Sequence, residues 1–280
     1  MLHDLVPDYE DPERDTEDHP VDDEQATLAT ILMPLPDEGF DVTEVAVPWR
    51  LLTDAGHDIV VATECGRPPN ADPLLIDGVV FGALGAAPEP IAFFRDFERS
   101  TTRTAPVAWP ELAVDDYDAL LLPGGHAPGM RQYLGSATLA QHVARFWASG
   151  RPVGAICHGV LLLARARDGS GQSVLADSRT TCLPKYMERS AYFATAWRRG
   201  RYYRTYPTYV QDEVCASLGD ADRQFQRGPI ELRHRGTAID DGPAFVVEDG
   251  RYLSARWPGD AYLFATRFIK ILDEPQRPSP

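Results

Sequence analysis

Apolar and polar residues follow two different spacings along the chain, and these predict strands and helices in turn. Four apolar runs have the length of buried strands: 26–36, 57–66, 117–125 and 151–156. Three segments with apolar residues three and four positions apart follow strands of this set: 41–56, 137–150 and 158–166. Unbroken apolar strands that alternate with amphipathic helices are typical of βαβ units. The pattern therefore predicts an α/β protein with a mostly parallel sheet.

In the rest of the chain, apolar strands and amphipathic helices alternate less regularly. Segment 67–116 is rich in Pro and Gly and predicts one helix, at 89–100. Segment 185–215 is dense in Tyr, Phe and Arg, and it predicts a lid or insert within a single domain of residues 26–273. A hairpin that turns at Asp249-Gly250 and a closing helix at 259–272 complete this domain, and residues 274–280 form a tail.

Charge is concentrated at the N-terminus. Of the net charge of -15, residues 1–25 contribute -10, from eleven acidic residues and one basic residue. We expect this acidic leader to be disordered, because it has too little apolar surface to fold alone. The charge argues against nucleic-acid binding, and no apolar run is long enough to span a bilayer. Without a signal peptide pattern, the expected location is the cytoplasm.

The stretch Gly154-Ala155-Ile156-Cys157-His158-Gly159 carries the main candidate for chemistry. A nucleophile elbow places its nucleophile in a strained turn between a strand and a helix, with small residues two positions away on each side. Ala155 and Gly159 occupy those positions around Cys157. A helix N-terminus favours the thiolate, and the amide of His158 would face a developing oxyanion. From this pattern alone, a small buried core cysteine is an equal alternative.

Several motifs together resemble the ThiJ/PfpI superfamily, which has the class I glutamine amidotransferase-like fold. The motifs are the Cys-His-Gly elbow, the Glu44-x-x-x-Pro48 pattern, the Pro-Gly-Gly turn at 123–125 and the ending DGRYLSARWPGDAYLFATRF. The resemblance covers about residues 26–272. It implies a three-layer α/β/α sandwich of flavodoxin-like type with the nucleophile elbow at Cys157. It also implies a homodimer.

The resemblance assigns roles to individual residues. Glu44 would lie against the thiol of Cys157 and move a proton, with a pKa raised by burial. His158 would act as the base, and the backbone N–H groups of Gly125 and His158 would form the oxyanion hole. Outside the family pattern, Glu44 would be an ordinary first-turn glutamate, His158 a helix N-terminal histidine and Gly125 a simple turn residue.

The carboxylate behind His158 is harder to place. The protease-like branch takes it from a Glu shortly after the Gly-Gly turn, but this chain has Gly129 there. The chaperone and glyoxalase III branch takes an acid from the region after the elbow helix, which makes Glu188 the candidate. Asp212 and Glu213 are the reserves, and the chain is placed nearer this second branch.

Three further residues are candidates for substrate binding. His126 follows the Gly-Gly turn and would line the pocket. Arg198 and Tyr202 belong to the 185–215 segment, which could close over a polar or anionic substrate, or could instead be an oligomer contact. The resemblance also allows His126 to bind a metal with other side chains, as in some members of the chaperone branch, but the sequence shows no clear partner ligands and we expect no metal.

These residues favour a cofactor-independent cysteine enzyme acting on a small electrophilic carbonyl or an amide- or nitrile-like substrate. The family implies glyoxalase III-like conversion of methylglyoxal to lactate, or hydrolysis. One alternative is a non-enzymatic stress protein, with Cys157 as a redox sensor or the chain as a holdase chaperone. Another is a pathway-specific hydrolase or lyase for a larger metabolite. A glutamine amidotransferase is disfavoured, because the C-terminal ARWPGDAY segment has no His.

Overall fold

The computed structural model describes residues 28–80 and 85–274. The predicted acidic leader 1–25 and residues 275–280 of the predicted tail lie outside the described residues. The strands are β1 (Thr30–Pro34), β2 (Glu38–Phe40), β3 (Asp58–Thr63), β4 (Asn70–Ala71), β5 (Val107–Ala108), β6 (Ala119–Leu122), β7 (Val153–Ile156), β8 (Val246–Asp249) and β9 (Tyr252–Ala255).

The main sheet has seven strands in the order β5-β3-β1-β6-β7-β9-β8. All neighbours pair in parallel except β8 and β9, which form the predicted antiparallel hairpin. The chain moves outward from β1 to β3 and β5, and then returns to β6 on the other side of β1. This reversal opens a crevice at the carboxyl ends of β1 and β6, where ligands bind in open α/β sheets.

Helices cover the sheet in two groups. They are α1 (Val42–Asp54), α2 (Pro73–Asp77), α3 (Pro88–Arg99), α4 (Thr101–Thr104), α5 (Met130–Leu134), α6 (Ala137–Ala148), α7 (Val160–Arg165), α8 (Lys185–Arg199), α9 (Val210–Ser217), α10 (Ala221–Gln224) and α11 (Ala261–Asp273). Helix α1 packs against α3 and α11, and α7 packs against α6 and α9. The three-layer α/β/α sandwich with a mostly parallel sheet is thus confirmed.

The long helices and strands lie where the apolar spacing predicts them. Segment 67–116 contains further elements that the spacing did not predict. The predicted helix at 89–100 is α3, and the closing helix is α11. Segment 67–116 also contains β4, which pairs with β2 in a separate two-stranded sheet, and β5, an edge strand of the main sheet. These strands are only two residues long, too short to give a periodic pattern.

The start of α1 is fixed by its own first residues. Asp41 is the N-cap, and its side chain accepts hydrogen bonds from the backbone N–H groups of Thr43 and Glu44 at 2.8 and 3.1 Å. Pro48 lies inside the helix, so the usual N–H donor to the carbonyl of Glu44 is missing there. The cap fixes the helix register and directs the Glu44 side chain inward, where it is 1% exposed.

The 185–215 segment folds as the long helix α8, a turn and the first part of α9. Met187, Ser190, Ala191, Ala194 and Thr195 of α8 line a cavity. The segment therefore forms one wall of a cavity, a position that suits a lid, and the lid itself stays a prediction.

Candidate active site

Cys157 lies in a strained turn between β7 and the helical segment that ends in α7. Its φ is 59°, and among the described residues other than glycine it alone has a positive φ. This left-handed conformation costs a residue with a Cβ about 1–2 kcal/mol. A short 3-10 turn, Cys157–Gly159, leads into α7. A side chain is held in such a conformation only where the surrounding structure enforces it, and such positions cluster at functional sites.

Gly159 explains why the elbow needs a small residue at this position. A Cβ there would lie 2.0 Å from the carbonyl oxygen of Leu122, the last residue of β6. The start of the elbow helix therefore packs directly on the neighbouring strand. This contact fixes the position of the elbow beside the Pro-Gly-Gly turn.

Glu44 reaches that turn from α1. Its Oε2 atom accepts a hydrogen bond of 2.8 Å from the backbone N–H of Gly124. The Cys157 thiol lies close enough to the carboxyl group for each to influence the pKa of the other. Among the described residues, no hydrogen-bond partner satisfies the buried Oε1 atom. Burial raises the pKa of Glu44 well above its usual range, and the nearby charge of Asp41 raises it further. Burial therefore favours the protonated form of this carboxyl group.

His158 lies beside the thiol, as the elbow pattern predicts. Its Nδ1 atom is 3.5 Å from the Sγ atom of Cys157, and both residues are buried. Burial lowers the pKa of His158 well below its usual range, and the positive charge that His126 and Arg165 can carry lowers it further. The imidazole is therefore neutral and able to accept a proton.

The thiol itself differs from the expectation based on the helix N-terminus. Burial raises the pKa of Cys157, and negative charge on Glu44 or Asp41 would raise it further, whereas the backbone N–H of His158 lowers it. Burial outweighs the helix end here because the side chain is fully buried. The resting pair is thus a neutral thiol beside a neutral imidazole.

The Gly124-Gly125 turn is packed between the elbow and the loop before α1. A Cβ on Gly124 would lie 2.7 Å from the backbone nitrogen of His158. A Cβ on Gly125 would lie 2.8 Å from the carbonyl oxygen of Gly39 and 3.0 Å from the backbone nitrogen of Asp41. The turn that contains Gly125 therefore contacts the backbone of His158 through Gly124, and the oxyanion hole stays a prediction.

Glu188 is buried in the first turn of α8, but its partners are not those expected. Its Oε2 atom accepts a hydrogen bond of 3.0 Å from the backbone N–H of Val210, and its Oε1 atom lies 3.4 Å from the Nη1 atom of Arg204. Burial raises its pKa to about 7. Among the described hydrogen bonds, none joins Glu188 to His158. Glu188 therefore links α8 to α9 and to the turn between them.

The two reserve acids also form ion pairs. Asp212 lies 2.6 Å from the Nζ atom of Lys185. Glu213 accepts two hydrogen bonds from Arg165, of 2.6 and 2.9 Å. Arg165 is close enough to His158 to influence its pKa. The groups that act on the pKa of His158 are thus the bases His126 and Arg165, rather than either of these two carboxylates.

A cavity of about 590 Å³ opens beside the elbow. Its lining residues are Asp41, Leu75, Val79, Gly85, Ala87, His126, Leu183, Met187, Ser190, Ala191, Ala194, Thr195, Tyr203, Leu232, Arg233, Arg235, Trp257 and Pro258. His126 joins this lining to the elbow, since its ring centroid lies 4.7 Å from that of His158. Cys157 is fully buried and lies outside the lining. The cavity is therefore adjacent to the elbow, with His126 in contact with His158.

Of the three predicted binding residues, only His126 lines the cavity. Burial lowers its pKa to about 4, and its ring lies 5.5 Å from the ring of Tyr203. Tyr202 instead donates a hydrogen bond of 2.9 Å from its hydroxyl to Asp72. Arg198 is exposed on α8 and does not line the cavity. The predicted binding roles of Arg198 and Tyr202 therefore have no support in this geometry.

The sequence reasoning missed several cavity residues. Tyr203 takes the place expected of Tyr202, and Asp41 acts both as the cap of α1 and as part of the wall. Arg233, Arg235 and Trp257 come from the segment that follows α10 and from the end of β9. Asp41 could have been found from its position before an amphipathic helix. The other residues carry no local pattern, because irregular loops bring them to the cavity.

His126, Cys157 and His158 together offer two ring nitrogens and one sulfur, and these three donor atoms lie within 4.8 Å of one another. In the part of the chain that the structure describes, no other group of three or more His, Cys, Asp or Glu donors is placed to hold an ion. Partner ligands for His126 could not be recognised in the sequence, because the other two donors come from the elbow some 30 positions later.

The fold and the site define a class of α/β/α proteins with a buried cysteine at a strand-to-helix elbow. The chain belongs to the ThiJ/PfpI family, because residues 35–229 match the family model described as ThiJ/PfpI family-like. The family and its class I glutamine amidotransferase-like fold, expected from the sequence motifs, are confirmed. Among the helices of residues 28–80 and 85–274, none is long and apolar enough to cross a membrane.

Similar proteins include named enzymes. A deglycase of Pyrococcus abyssi is 25% identical over 233 residues, which are 83% of this chain and 93% of that protein. The deglycase PfpI of Pyrococcus furiosus is 24% identical over 234 residues, with the same two coverages of 83% and 93%. The crystal structure of glyoxalase III from Candida albicans has a TM-score of 0.61 at 20% identity, covering 87% of this chain and 97% of that one. At this identity, the structural likeness shows the fold alone.

Proposed function

We propose that this protein is a cofactor-independent cysteine enzyme that processes small carbonyl compounds, with glyoxalase III-like or hydrolase activity. The observation that carries the proposal is the convergence of two proton-transfer groups on one strained thiol. His158 Nδ1 lies 3.5 Å from Cys157 Sγ, and the Glu44 carboxyl group is the buried acid beside the same sulfur. The relatives named as deglycases, which span most of this chain, support the same class of chemistry.

The first step would be addition of sulfur to a carbonyl carbon. The Cys157 thiol gives its proton to the neutral His158 imidazole as the new bond from sulfur to carbon forms. The electron pair of the carbonyl bond moves to oxygen, where the backbone N–H groups of Gly125 and His158 would stabilise the negative charge. The thiol loses its proton only in this step, which is consistent with a buried sulfur whose resting form is neutral.

With methylglyoxal, His158 returns that proton to the oxygen of the former aldehyde, which gives a hemithioacetal and restores the neutral imidazole. The C–H proton of this carbon then moves to the neighbouring carbon through His158, and the hydroxyl proton moves to the ketone oxygen through Glu44, which converts the adduct to a lactate thioester. Water then releases lactate and restores the thiol. The sequence consumes one methylglyoxal and one water, and it needs no external oxidant, reductant or cofactor.

The cavity supports a second candidate, a hydrolase or lyase for a larger metabolite. A space of about 590 Å³ exceeds what a three-carbon substrate fills, and it is within the range of sites for larger organic ligands. Its walls are mostly apolar, from Leu75, Leu183, Met187 and Trp257, with Arg233 and Arg235 at one side. This arrangement favours an electrophilic substrate with an apolar body and an anionic group.

The experiment is lactate formation from methylglyoxal without added thiol, for wild type and for Cys157→Ser. We expect activity in the wild type and its loss in the variant. Cys65→Ser is the control, because Cys65 is exposed and should leave the rate unchanged. Equal rates in wild type and Cys157→Ser would overturn the cysteine mechanism. The homodimer expected from the family resemblance stays a prediction, which sedimentation of the same samples would test.

A further inference from the structure

Asp41 is a buried carboxyl group that lies between the cavity and the elbow. It is 4% exposed and lines the cavity, whereas Glu44 and Cys157 do not. Its backbone N–H donates a hydrogen bond of 2.9 Å to the carbonyl oxygen of Gly124. A Cβ on Gly124 would in turn lie 2.7 Å from the backbone nitrogen of His158. Asp41 therefore contacts the turn that packs on the elbow, and at the same time it borders the cavity.

The two carboxyl oxygens of Asp41 have different surroundings. Oδ1 caps α1, where it accepts the hydrogen bonds from the backbone N–H groups of Thr43 and Glu44. Among the described hydrogen bonds, none reaches Oδ2, and this atom is not one of the buried oxygens of the described residues that lack a partner. Oδ2 therefore keeps some exposed surface, and the space that Asp41 borders is the cavity. A water molecule in the cavity can contact this oxygen.

The surroundings of Asp41 and Glu44 give their two carboxyl groups different tendencies to hold a proton. Burial raises the pKa of Asp41 to about 6, while the two cap hydrogen bonds and the positive charge of Arg235 lower it. Burial raises the pKa of Glu44 well above its usual range, and the negative charge of Asp41 raises it further. Near neutral pH, Asp41 is thus ionised, and its charge favours the proton on Glu44. Neighbouring carboxyl groups whose pKa values are pushed apart are suited to separate acid and base roles.

Other titratable or charged groups surround Asp41, but their pKa values lie elsewhere. Burial lowers the pKa of His126 to about 4, and it raises the pKa of Cys157 and of Tyr203 far above neutrality. The groups come from several elements: Glu44 on α1, Asp72 before α2, His126 after β6, Cys157 after β7, Tyr203 after α8, and Arg233 and Arg235 after α10. Asp41 is thus the carboxyl group of the cavity wall that can accept a proton near neutral pH.

We propose that Asp41 is the general base that activates a water molecule of the cavity to cleave an acyl group from Cys157. This role rests on the proposed function, in which water cleaves a thioester at this sulfur. Asp41 Oδ2 takes one proton of the water as the water oxygen adds to the thioester carbon, and the carbonyl electron pair moves to the carbonyl oxygen.

The step then closes without a further reactant. When the electron pair returns to carbon, the bond between carbon and sulfur breaks and its electrons stay on sulfur. The carboxylic acid formed gives its proton to the sulfur of Cys157, which restores the thiol. Asp41 releases the proton that it took to the water of the cavity. One water is consumed, and a carboxylate and one proton leave.

The test uses a thioester that a simple acyl donor forms at Cys157, so that it does not depend on methylglyoxal. The full-length protein is treated with p-nitrophenyl acetate, the excess reagent is removed, and mass spectrometry follows the acetyl group on the peptide of Cys157. We expect Asp41→Asn to lengthen the lifetime of this thioester near neutral pH by at least about a hundredfold. Asparagine still caps a helix well, but its amide cannot take the proton from water.

The dependence on pH is a readout that a merely structural role would not change. The base acts only when it is unprotonated, so in the wild type the rate of acetyl release should rise as pH increases through about 6. In Asp41→Asn this rise should be absent. Asp41→Ser, in which a different capping residue replaces the carboxyl group, should show the same slow release. Circular dichroism checks that each variant is folded.

The matched control is Asp72→Asn. Asp72 is also a buried N-cap, and its Oδ1 atom accepts a hydrogen bond of 3.0 Å from the backbone N–H of Leu74, but it does not line the cavity. This variant should release the acetyl group near neutral pH as fast as the wild type does.

The outcomes separate this role from the proposed function. If Cys157 is acetylated and the acetyl group leaves wild type and Asp41→Asn equally fast, or with the same rise through pH 6, Asp41 is not the base and the proposed function stands. If the wild type is not acetylated at Cys157, the nucleophile of the proposed function is overturned, and the role of Asp41 falls with it.

Discussion

The Oε2 atom of Glu44 accepts a hydrogen bond of 2.8 Å from the backbone N–H of Gly124, 80 residues further along the chain. This bond joins the first turn of α1 to the turn after β6, at the crevice where the strand order reverses. It holds one carboxyl oxygen, so that the group has a fixed orientation beside the Cys157 thiol. Because burial raises the pKa of Glu44 and so favours its protonated form, this carboxyl group is the candidate for moving a proton at the thiol.

We therefore expect Glu44→Gln to lower kcat for lactate formation by at least about a hundredfold, because the amide keeps the shape but cannot transfer a proton. KM should change little, since Glu44 does not line the cavity. Steady-state kinetics with methylglyoxal measure both constants. The matched control is Glu248→Gln on the exposed side of β8, which should keep the wild-type values. A wild-type kcat in Glu44→Gln would exclude the proton-transfer role.

The stability of the protein should depend on pH through Glu188. Its folded pKa of about 7 lies above the ordinary value of 4.5, so the folded state binds the proton more tightly than the unfolded state does. This contribution is fully present below pH 4.5 and is lost as pH rises through about 7. Relative to Glu188→Gln, the wild type should lose roughly 3 kcal/mol of unfolding free energy across this window.

Urea denaturation of the wild type and Glu188→Gln from pH 5 to pH 8 measures this difference. The variant cannot titrate at this position, so it serves as the reference for every other group. A gap between the two proteins that stays constant with pH would show that Glu188 titrates near its ordinary value. It would also show that the ion pair with Arg204 offsets the effect of burial.

Gly159→Ala should destabilise the fold by at least about 2 kcal/mol. The added Cβ would lie 2.0 Å from the carbonyl oxygen of Leu122, which belongs to a central strand and cannot move away easily. Gly169→Ala is the control, because a Cβ at Gly169 has no neighbour within 4 Å. Urea midpoints at one pH compare the two variants. Equal midpoints would mean that the elbow helix can shift away from β6 at little cost.

Substrate preference should follow the size and polarity of the cavity. Phenylglyoxal carries the same dicarbonyl group as methylglyoxal and adds a phenyl ring of about 100 Å² for the apolar walls to bury. At roughly 25 cal/mol per Å², this burial is worth about 2.5 kcal/mol. We expect kcat/KM for phenylglyoxal to exceed that for methylglyoxal by at least about tenfold.

Ala191→Phe tests whether the cavity is responsible, because Ala191 lines it from α8. The larger side chain should lower kcat/KM for phenylglyoxal and leave methylglyoxal nearly unchanged. Ala196→Phe, on the same helix but outside the lining, should alter neither. If both substrates lose rate equally in Ala191→Phe, the cavity is not where the ring binds.

Local sequence predicted the parts of the site whose residues are adjacent or follow a fixed spacing. The elbow around Cys157 could be recognised because a strand, a nucleophile, small flanking residues and a helix all lie within a few positions. His158 was placed correctly beside the thiol for the same reason. The position of Glu44 followed from its spacing to Pro48 and from the family resemblance. Periodicity gave the long strands and helices, since burial of one face determines that pattern directly.

Glu188 shows where such reasoning ends. The sequence made it the candidate for the acid behind His158, but its partners, Arg204 and Val210, depend on how the turn after α8 folds back. Tyr202 and Tyr203 show the same limit at single-residue scale, because only the backbone of that turn determines which ring faces His126. No periodic pattern specifies the direction of a side chain in an irregular turn.

The sequence by itself thus determined the fold class and the elbow, because both depend on short-range spacing and on the burial of apolar faces. The tertiary structure alone decided that the thiol is fully buried and neutral, that His126 lines the cavity and contacts His158, and that three donor atoms meet there. Each of these features joins residues from different strand ends and loops. The distances between these residues are set by the packing of the whole sheet, so no local stretch of sequence predicts them.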